Sequence, residues 1–220
     1  MTCLLCRESL SDTTYFLDIV LLKRKKATIC PTCRSKFEEI AEAHCPTCFK
    51  SGTNQICKDC LFWQSQGEKV HHFALYRYNA AMKDYMSQFK FMGDYCLGEI
   101  FSKEIKSALS DYRDYCIVPI PMDTNSLDSR GYNQVETLLD FAGISYQQLF
   151  GKEKVEKQSS KSRQDRLSGV NPFYLREFLD LPDKILLVDD VYTTGATLKH
   201  AKTLLKQAGC STIRTFSLAR

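Results

Sequence analysis

No long hydrophobic run occurs in the 220 residues: the apolar stretches are short and broken by charges, whereas a membrane-spanning helix needs about 20 consecutive apolar positions. The N-terminus also lacks the basic start and unbroken apolar core of an export signal, carrying Cys3 and Cys6 instead, so the chain is expected to work in the cytoplasm. With only 10 glycines and 6 prolines, and an ordinary apolar share of 44%, neither a fibrous nor a disordered class fits. The length suits one medium α/β domain plus a small module.

Cysteine is what the chain has in excess. Eight of the 11 fall into four pairs with two residues between partners: Cys3/Cys6, Cys30/Cys33, Cys45/Cys48 and Cys57/Cys60. One such pair alone reads equally well as redox-active. Four within sixty residues, in a chain without export signals, read as tetrahedral zinc thiolates, two sites in all. Sequential pairing of the knuckles is the simplest arrangement, and spacing alone leaves an interleaved one open. Eight thiolates and two zinc ions bring the formal +4 to about zero, so a basic global field is no argument for nucleic acid. Cys96, Cys116 and Cys210 lack the spacing and are expected to be buried small apolar residues.

The second concentration of chemistry is Ile185 to Leu198. Ile185-Leu186-Leu187-Val188 reads as a buried parallel strand, with Asp189 and Asp190 at its carboxyl end. The turn Tyr192-Thr193-Thr194-Gly195-Ala196-Thr197 then enters a helix ending at Gly209. In open α/β sheets ligands bind beyond the carboxyl ends of the strands, and helix-start amides suit a phosphate. Two carboxylates beside a phosphate pocket need a separate task, which ribose 2′ and 3′ hydroxyls supply, with a hard cation balancing charge. The plainer alternative is an acidic helix cap followed by ordinary turn residues.

Val188 to Thr197 resembles the phosphoribosyl-pyrophosphate (PRPP) motif of type I phosphoribosyltransferases. With the cysteine pairs, Lys90-Phe91-Met92-Gly93, Val118-Pro119-Ile120-Pro121, Arg130-Gly131-Tyr132-Asn133-Gln134 and the stretch Gln158 to Asn171, the chain resembles the ComF family of competence proteins over nearly its full length. The resemblance implies an α/β fold, a type I phosphoribosyltransferase-like parallel sheet with flanking helices, in residues 63–220. It implies a small zinc-ribbon or treble-clef-like four-cysteine module in residues 1–62. It also implies Asp189 and Asp190 as candidate catalytic residues, PRPP with magnesium in the Tyr192 to Thr197 turn, and Lys90 beside the cleft. Gln158, Arg163, Arg166 and Asn171 are further pattern-bearing positions. One departure stands out: the short glycine-bearing pyrophosphate loop of type I phosphoribosyltransferases is replaced here by the longer, proline-rich segment Met122 to Gly131.

Further expectations follow along the chain. In the module, Tyr15 to Leu22 reads as a strand with Lys23-Arg24-Lys25-Lys26 at its turn, Arg34 to Ala43 as an amphipathic helix and Cys57 as the start of a helical turn. His71 and His72 read as polar linker residues. Beyond them a strand at Phe73 to Tyr76, helices at Asn79 to Phe91 and Leu97 to Leu109, and strands at Tyr115 to Ile120, Ser145 to Leu149, Phe173 to Leu175 and Thr212 to Leu218 are expected. Arg130 can grip a phosphate, Tyr132 can stack on a base, and Asn133 and Gln134 can read base edges; equally, Asn133 can cap the next helix and Tyr132 can be core. Gly151 to Gly169, with six Lys/Arg against three Asp/Glu, reads as a lid or a single-strand track.

Three functions remain in play: PRPP-dependent phosphoribosyl transfer to an unnamed acceptor; binding of single-stranded DNA or PRPP in natural transformation; and a zinc-stabilised platform for a competence helicase or another DNA-uptake protein.

Overall fold

The computed structural model describes residues 2–10, 29–152, 173–176 and 180–220. The expected strand Tyr15 to Leu22, the Lys23 to Lys26 run, Gln158, Arg163, Arg166 and Asn171 lie outside the described residues. Among those described, the elements run α1 (Pro31–Arg34), α2 (Lys58–Ser65), β1 (His72–Tyr76), α3 (Ala80–Phe91), a 3-10 helix (Tyr95–Phe101), α4 (Ser102–Ala108), β2 (Cys116–Pro119), α5 (Thr124–Arg130), α6 (Gln134–Ala142), β3 (Phe150–Lys152), β4 (Phe173–Leu175), β5 (Lys184–Val191), α7 (Ala196–Gln207) and β6 (Thr212–Ala219).

Four strands form one parallel sheet in the order β1-β6-β5-β2. β5 is central, and alternation along it splits the core in two. Leu186 and Val188 face a layer containing Met82, Tyr85, Met86 and Phe89 of α3 and Leu138 and Leu139 of α6. Ile185 and Leu187 face Leu198, Ala201 and Leu205 of α7. Burying each of these four β5 side chains contributes about 2 kcal/mol, enough together to hold the strand in place while its far end carries two partly desolvated acids.

Several helices start where sequence chemistry supplies a cap. Asn79 accepts from Met82 N (3.0 Å) at α3, and Asn133 accepts from Val135 N (2.9 Å) at α6, which ends at Gly143 with φ +65°.

The structure corrects other expectations. Arg34 to Ala43 is not a helix beyond the single turn of α1. Ile40 N donates to Leu75 O (2.9 Å) and Arg77 N to Glu38 O (2.8 Å), so the segment instead satisfies the open edge of β1. Met122 to Gly131 is not an open loop, because Asp123 accepts from Ser126 N (2.9 Å) and Oγ (2.8 Å) and starts α5. Ser145 to Leu149 is not a strand; the strand begins at Phe150 and pairs antiparallel with β4. Cys96 is exposed and Cys116 half-buried, leaving Cys210 as the one buried cysteine of those three. His72 is no linker residue: it is a buried member of β1.

Candidate functional site

Asp189 and Asp190 occupy the last turn-side positions of β5 rather than lying beyond it, since the strand runs on to Val191. Asp190 is buried, and its carboxylate meets Lys90 Nζ at 2.5 Å. Burial opposes the Lys90 charge, but Asp190 and then Asp189 outweigh it and hold the lysine above its ordinary range. Asp189 is pushed up to about 7 by burial and by the neighbouring Asp190 charge, with Lys90 and Lys152 opposing. Lys152 on β3 therefore belongs to the same electrostatic cluster. Arg130, at the end of α5, is close enough to act on Lys90 and donates to Gln134 Oε1 at 2.9 Å.

The turn after β5 is built on glycine and tyrosine. Gly195 caps α7 with φ +80°, and a Cβ placed there would lie 2.2 Å from Tyr192 Oη. Tyr192 is the floor of the turn: it is buried, its ring lies 4.2 Å from His72, and the Arg220 guanidinium sits 4.7 Å from its centroid. Ala196 is buried too, so neither side chain faces a ligand. Thr193 and Thr197 are exposed and Thr194 half-buried. Among the described residues, the N–H groups of Thr193, Thr194, Gly195 and Thr197 have no hydrogen-bond acceptor, while Ala196 N reaches Thr194 Oγ1 at 3.4 Å. Unpaired amides at the start of α7 offer donors, at the positive end of the helix dipole, that suit an anion.

The Arg130 to Gln134 segment divides. Arg130 stands with Lys90 near the acids. Tyr132 is turned onto Phe89, with ring centroids 5.6 Å apart, and its hydroxyl donates to Phe89 O. Asn133 is the buried cap of α6 and also donates to Glu136 Oε1 at 3.1 Å. Gln134 is buried against Arg130, and its Nε2 has no partner among the described residues. Tyr132, half-buried against Phe89, and Asn133, buried as the cap, thus take the core-and-cap places of the plainer alternative, and Gln134 is buried beside them.

Among the described residues, two groups of cysteines could hold metal ions: Cys3, Cys6, Cys30 and Cys33, and Cys45, Cys48, Cys57 and Cys60. The pairing is sequential. Sulfur separations of 3.7 Å (Cys6 to Cys30), 3.9 Å (Cys45 to Cys60) and 3.6 Å (Cys48 to Cys57) are far too long for disulfides. They fit the edge, about 3.8 Å, of a tetrahedron with metal–sulfur bonds near 2.3 Å. Backbone N–H donors from Cys30 to Cys3 Sγ (3.2 Å) and from Cys57 to Cys45 Sγ (3.3 Å) support thiolate charge. The two knuckles repeat one geometry: Arg7 (φ 62°) and Phe49 (φ 61°) follow the second cysteine of each, donating to Cys3 O and Cys45 O.

Sequence reasoning passed over Lys152, Trp63 and Arg220. Trp63 Nε1 donates to Thr194 O at 2.8 Å, and Arg220 donates to Thr193 O at 2.7 Å and to Cys48 Sγ at 3.4 Å. None carries a motif; the signal for Trp63 was its being the single tryptophan, three residues after Cys60.

Residues 127–220 match the family model described as phosphoribosyl transferase domain. Along all 220 residues the chain is 40% identical to Competence protein ComFC of Streptococcus pneumoniae (strain ATCC BAA-255 / R6), covering 100% of each. The chain belongs to the ComFC family. ComFC of Bacillus subtilis (strain 168) is 31% identical over 229 positions, covering 100% of this chain and 95% of the relative. Competence protein F of Haemophilus influenzae is 24% identical, covering 89% and 91%. The ComFC-type match spans the cysteine tetrads as well as the sheet, so both parts belong to one family architecture. No helix among the described residues is long and apolar enough to cross a membrane.

Proposed function

We propose that this ComFC-family chain binds PRPP, or a ribose 5-phosphate group, between Asp189, Asp190 and the Thr193 to Thr197 turn, as a cytoplasmic component of natural transformation. The single observation carrying this is the juxtaposition of unpaired turn amides with two acids at the end of one strand. The amides and threonine hydroxyls take the 5′-phosphate, and the acids accept from the ribose hydroxyls. Lys90, Arg130 and Lys152 supply positive charge for pyrophosphate, with magnesium entering alongside PRPP. If a base or amine acceptor is admitted, the same arrangement supports displacement of pyrophosphate from the anomeric carbon. Each cysteine tetrad takes a structural zinc, as four thiolates at tetrahedral spacing favour it. Titration calorimetry with Mg·PRPP tests the reading: wild-type binding that survives in Asp189→Asn/Asp190→Asn would sink it.

A second reading, single-stranded DNA binding, has its own observation. A cleft of about 370 Å³ is lined by Lys69, His71, Lys202, Lys206 and Arg214. Glu68 neutralises part of it through Lys202 and Lys206. The measurement is oligonucleotide affinity against salt: Lys69→Ala/Arg214→Ala should flatten the slope by about two charges, and an unchanged slope removes this surface from consideration.

A further inference from the structure

The ribose-phosphate turn is held from behind by the second cysteine tetrad. Trp63 lies one helical turn beyond Cys60 on α2, whose N-cap is Cys57, and its indole N–H donates to Thr194 O at 2.8 Å. Arg220 bridges the same two parts. One nitrogen donates to Thr193 O (2.7 Å) and Tyr192 O (3.3 Å), and the other to Cys48 Sγ (3.4 Å) and Asp59 Oδ2 (3.4 Å). Its side chain is 7% exposed, so the guanidinium itself is largely shielded from water.

A planar trans peptide ties each carbonyl to the following N–H, which points the opposite way. Fixing Thr193 O therefore fixes the N–H of Thr194, and fixing Thr194 O fixes the N–H of Gly195. Both amides belong to the unpaired set at the start of α7. The donors also polarise the peptide groups, strengthening those N–H groups toward an anion. The first tetrad makes no such bond to the turn among the described residues. Its buried cysteines pack with the Leu186 and Val188 face, whereas the second tetrad packs with Ile185 and Leu187.

We propose that Trp63 and Arg220 are positioning residues through which metal occupancy of the Cys45, Cys48, Cys57 and Cys60 site sets the shape of the anion-binding turn, so that metal and ligand bind with positive coupling. The ligand half of this rests on the ribose-phosphate reading; the metal-to-turn half does not. Linkage requires the coupling to be mutual.

NMR order parameters of the Thr194 and Gly195 amides in the full-length, zinc-loaded protein provide the test. Arg220→Met at Thr194 and Trp63→Phe at Gly195 should keep both metals yet lower the order parameter from about 0.85 to below about 0.6. Cys57→Ser should do the same at both amides, and Cys33→Ser should not. Mg·PRPP should slow zinc transfer to a chelator from the second tetrad and leave the first unaffected. Unchanged order parameters in Trp63→Phe and Arg220→Met, or equal effects of Cys57→Ser and Cys33→Ser, overturn the proposal. Failure of the wild type to bind Mg·PRPP alongside the expected order-parameter pattern removes the ligand reading and leaves the metal-to-turn coupling standing.

Discussion

Lys90 Nζ lies 2.5 Å from Asp190 Oδ2, joining the end of α3 to the end of β5 across the cleft, with both side chains largely shielded from water. A shielded carboxylate that loses its partner keeps its desolvation cost. Lys90→Met should therefore lower stability by about 2 kcal/mol, while Lys90→Arg retains most of it. On the proposed reading Lys90→Met should also weaken Mg·PRPP binding, because it removes a positive charge assigned to pyrophosphate. Denaturant unfolding of both variants checks the first point, and a Lys90→Met protein as stable as wild type would remove the ion pair as a structural element.

Binding should depend on pH through Asp189. Its carboxyl is raised to about 7 by burial and by Asp190, above the ordinary 3.8. Between those two values the folded chain holds a proton that the unfolded chain has lost, so stability falls as pH rises through that window. Ligand binding runs the other way, since ribose hydroxyls and magnesium select the carboxylate. Affinity for Mg·PRPP should be about tenfold weaker at pH 6 than at pH 8, and the difference should vanish in Asp189→Asn. Calorimetry at the two pH values reads this directly; equal wild-type affinities would show that the proton on Asp189 is not displaced on binding.

Gly195→Ala meets two obstacles together. The backbone there has φ +80°, and the new Cβ would come within 2.2 Å of Tyr192 Oη and 2.6 Å of Cζ. Strain of about 1–3 kcal/mol comes from the backbone alone, and Tyr192 cannot retreat because His72 lies against its ring. The variant should melt earlier and lose Mg·PRPP binding. Adding Tyr192→Phe removes the oxygen but not the ring, so it should recover only part of the stability. Full recovery would show that the hydroxyl, not the turn conformation, set the cost.

The strand Ile185 to Val188, the acids after it and the cysteine pairs were legible because each is local: a four-residue apolar run, a two-residue spacing and a glycine at a helix start are written contiguously. Arg34 to Ala43 misled because its helical periodicity is also local, while what decides its shape is the open edge of β1, reached through Ile40 and Arg77. Met122 to Gly131 misled for the opposite reason: Asp123 and Ser126 spell a helix cap that the expectation of a pyrophosphate loop obscured. The contacts that Trp63 and Arg220 make could not be read from the sequence. Their partners, Thr194 and Cys48, lie more than a hundred residues away, and no periodicity records such a contact.

His72 gives the last prediction. It is buried on β1, with Nδ1 3.0 Å from Thr215 Oγ1 and Nε2 3.0 Å from Ser217 Oγ. Ser217 already donates to Ala219 O at 2.8 Å, so its oxygen accepts from Nε2–H. Thr215 Oγ1 donates to His71 O at 3.2 Å and also lies beside Nδ1. Burial, and after it the Arg220 charge, holds the group well below its ordinary 6.5. Below that ordinary value the unfolded chain takes up a proton that the folded chain refuses, so stability is full above about 6.5 and is lost as pH falls. At pH 5.5 the loss from this one residue should be about 1.4 kcal/mol. His72→Gln keeps a donor and an acceptor but cannot titrate, so it should show a shallower fall in stability between pH 7.5 and 5.5. Parallel denaturant curves for the two proteins measure the difference, and identical slopes would mean that His72 is protonated in the folded state as readily as in the unfolded chain.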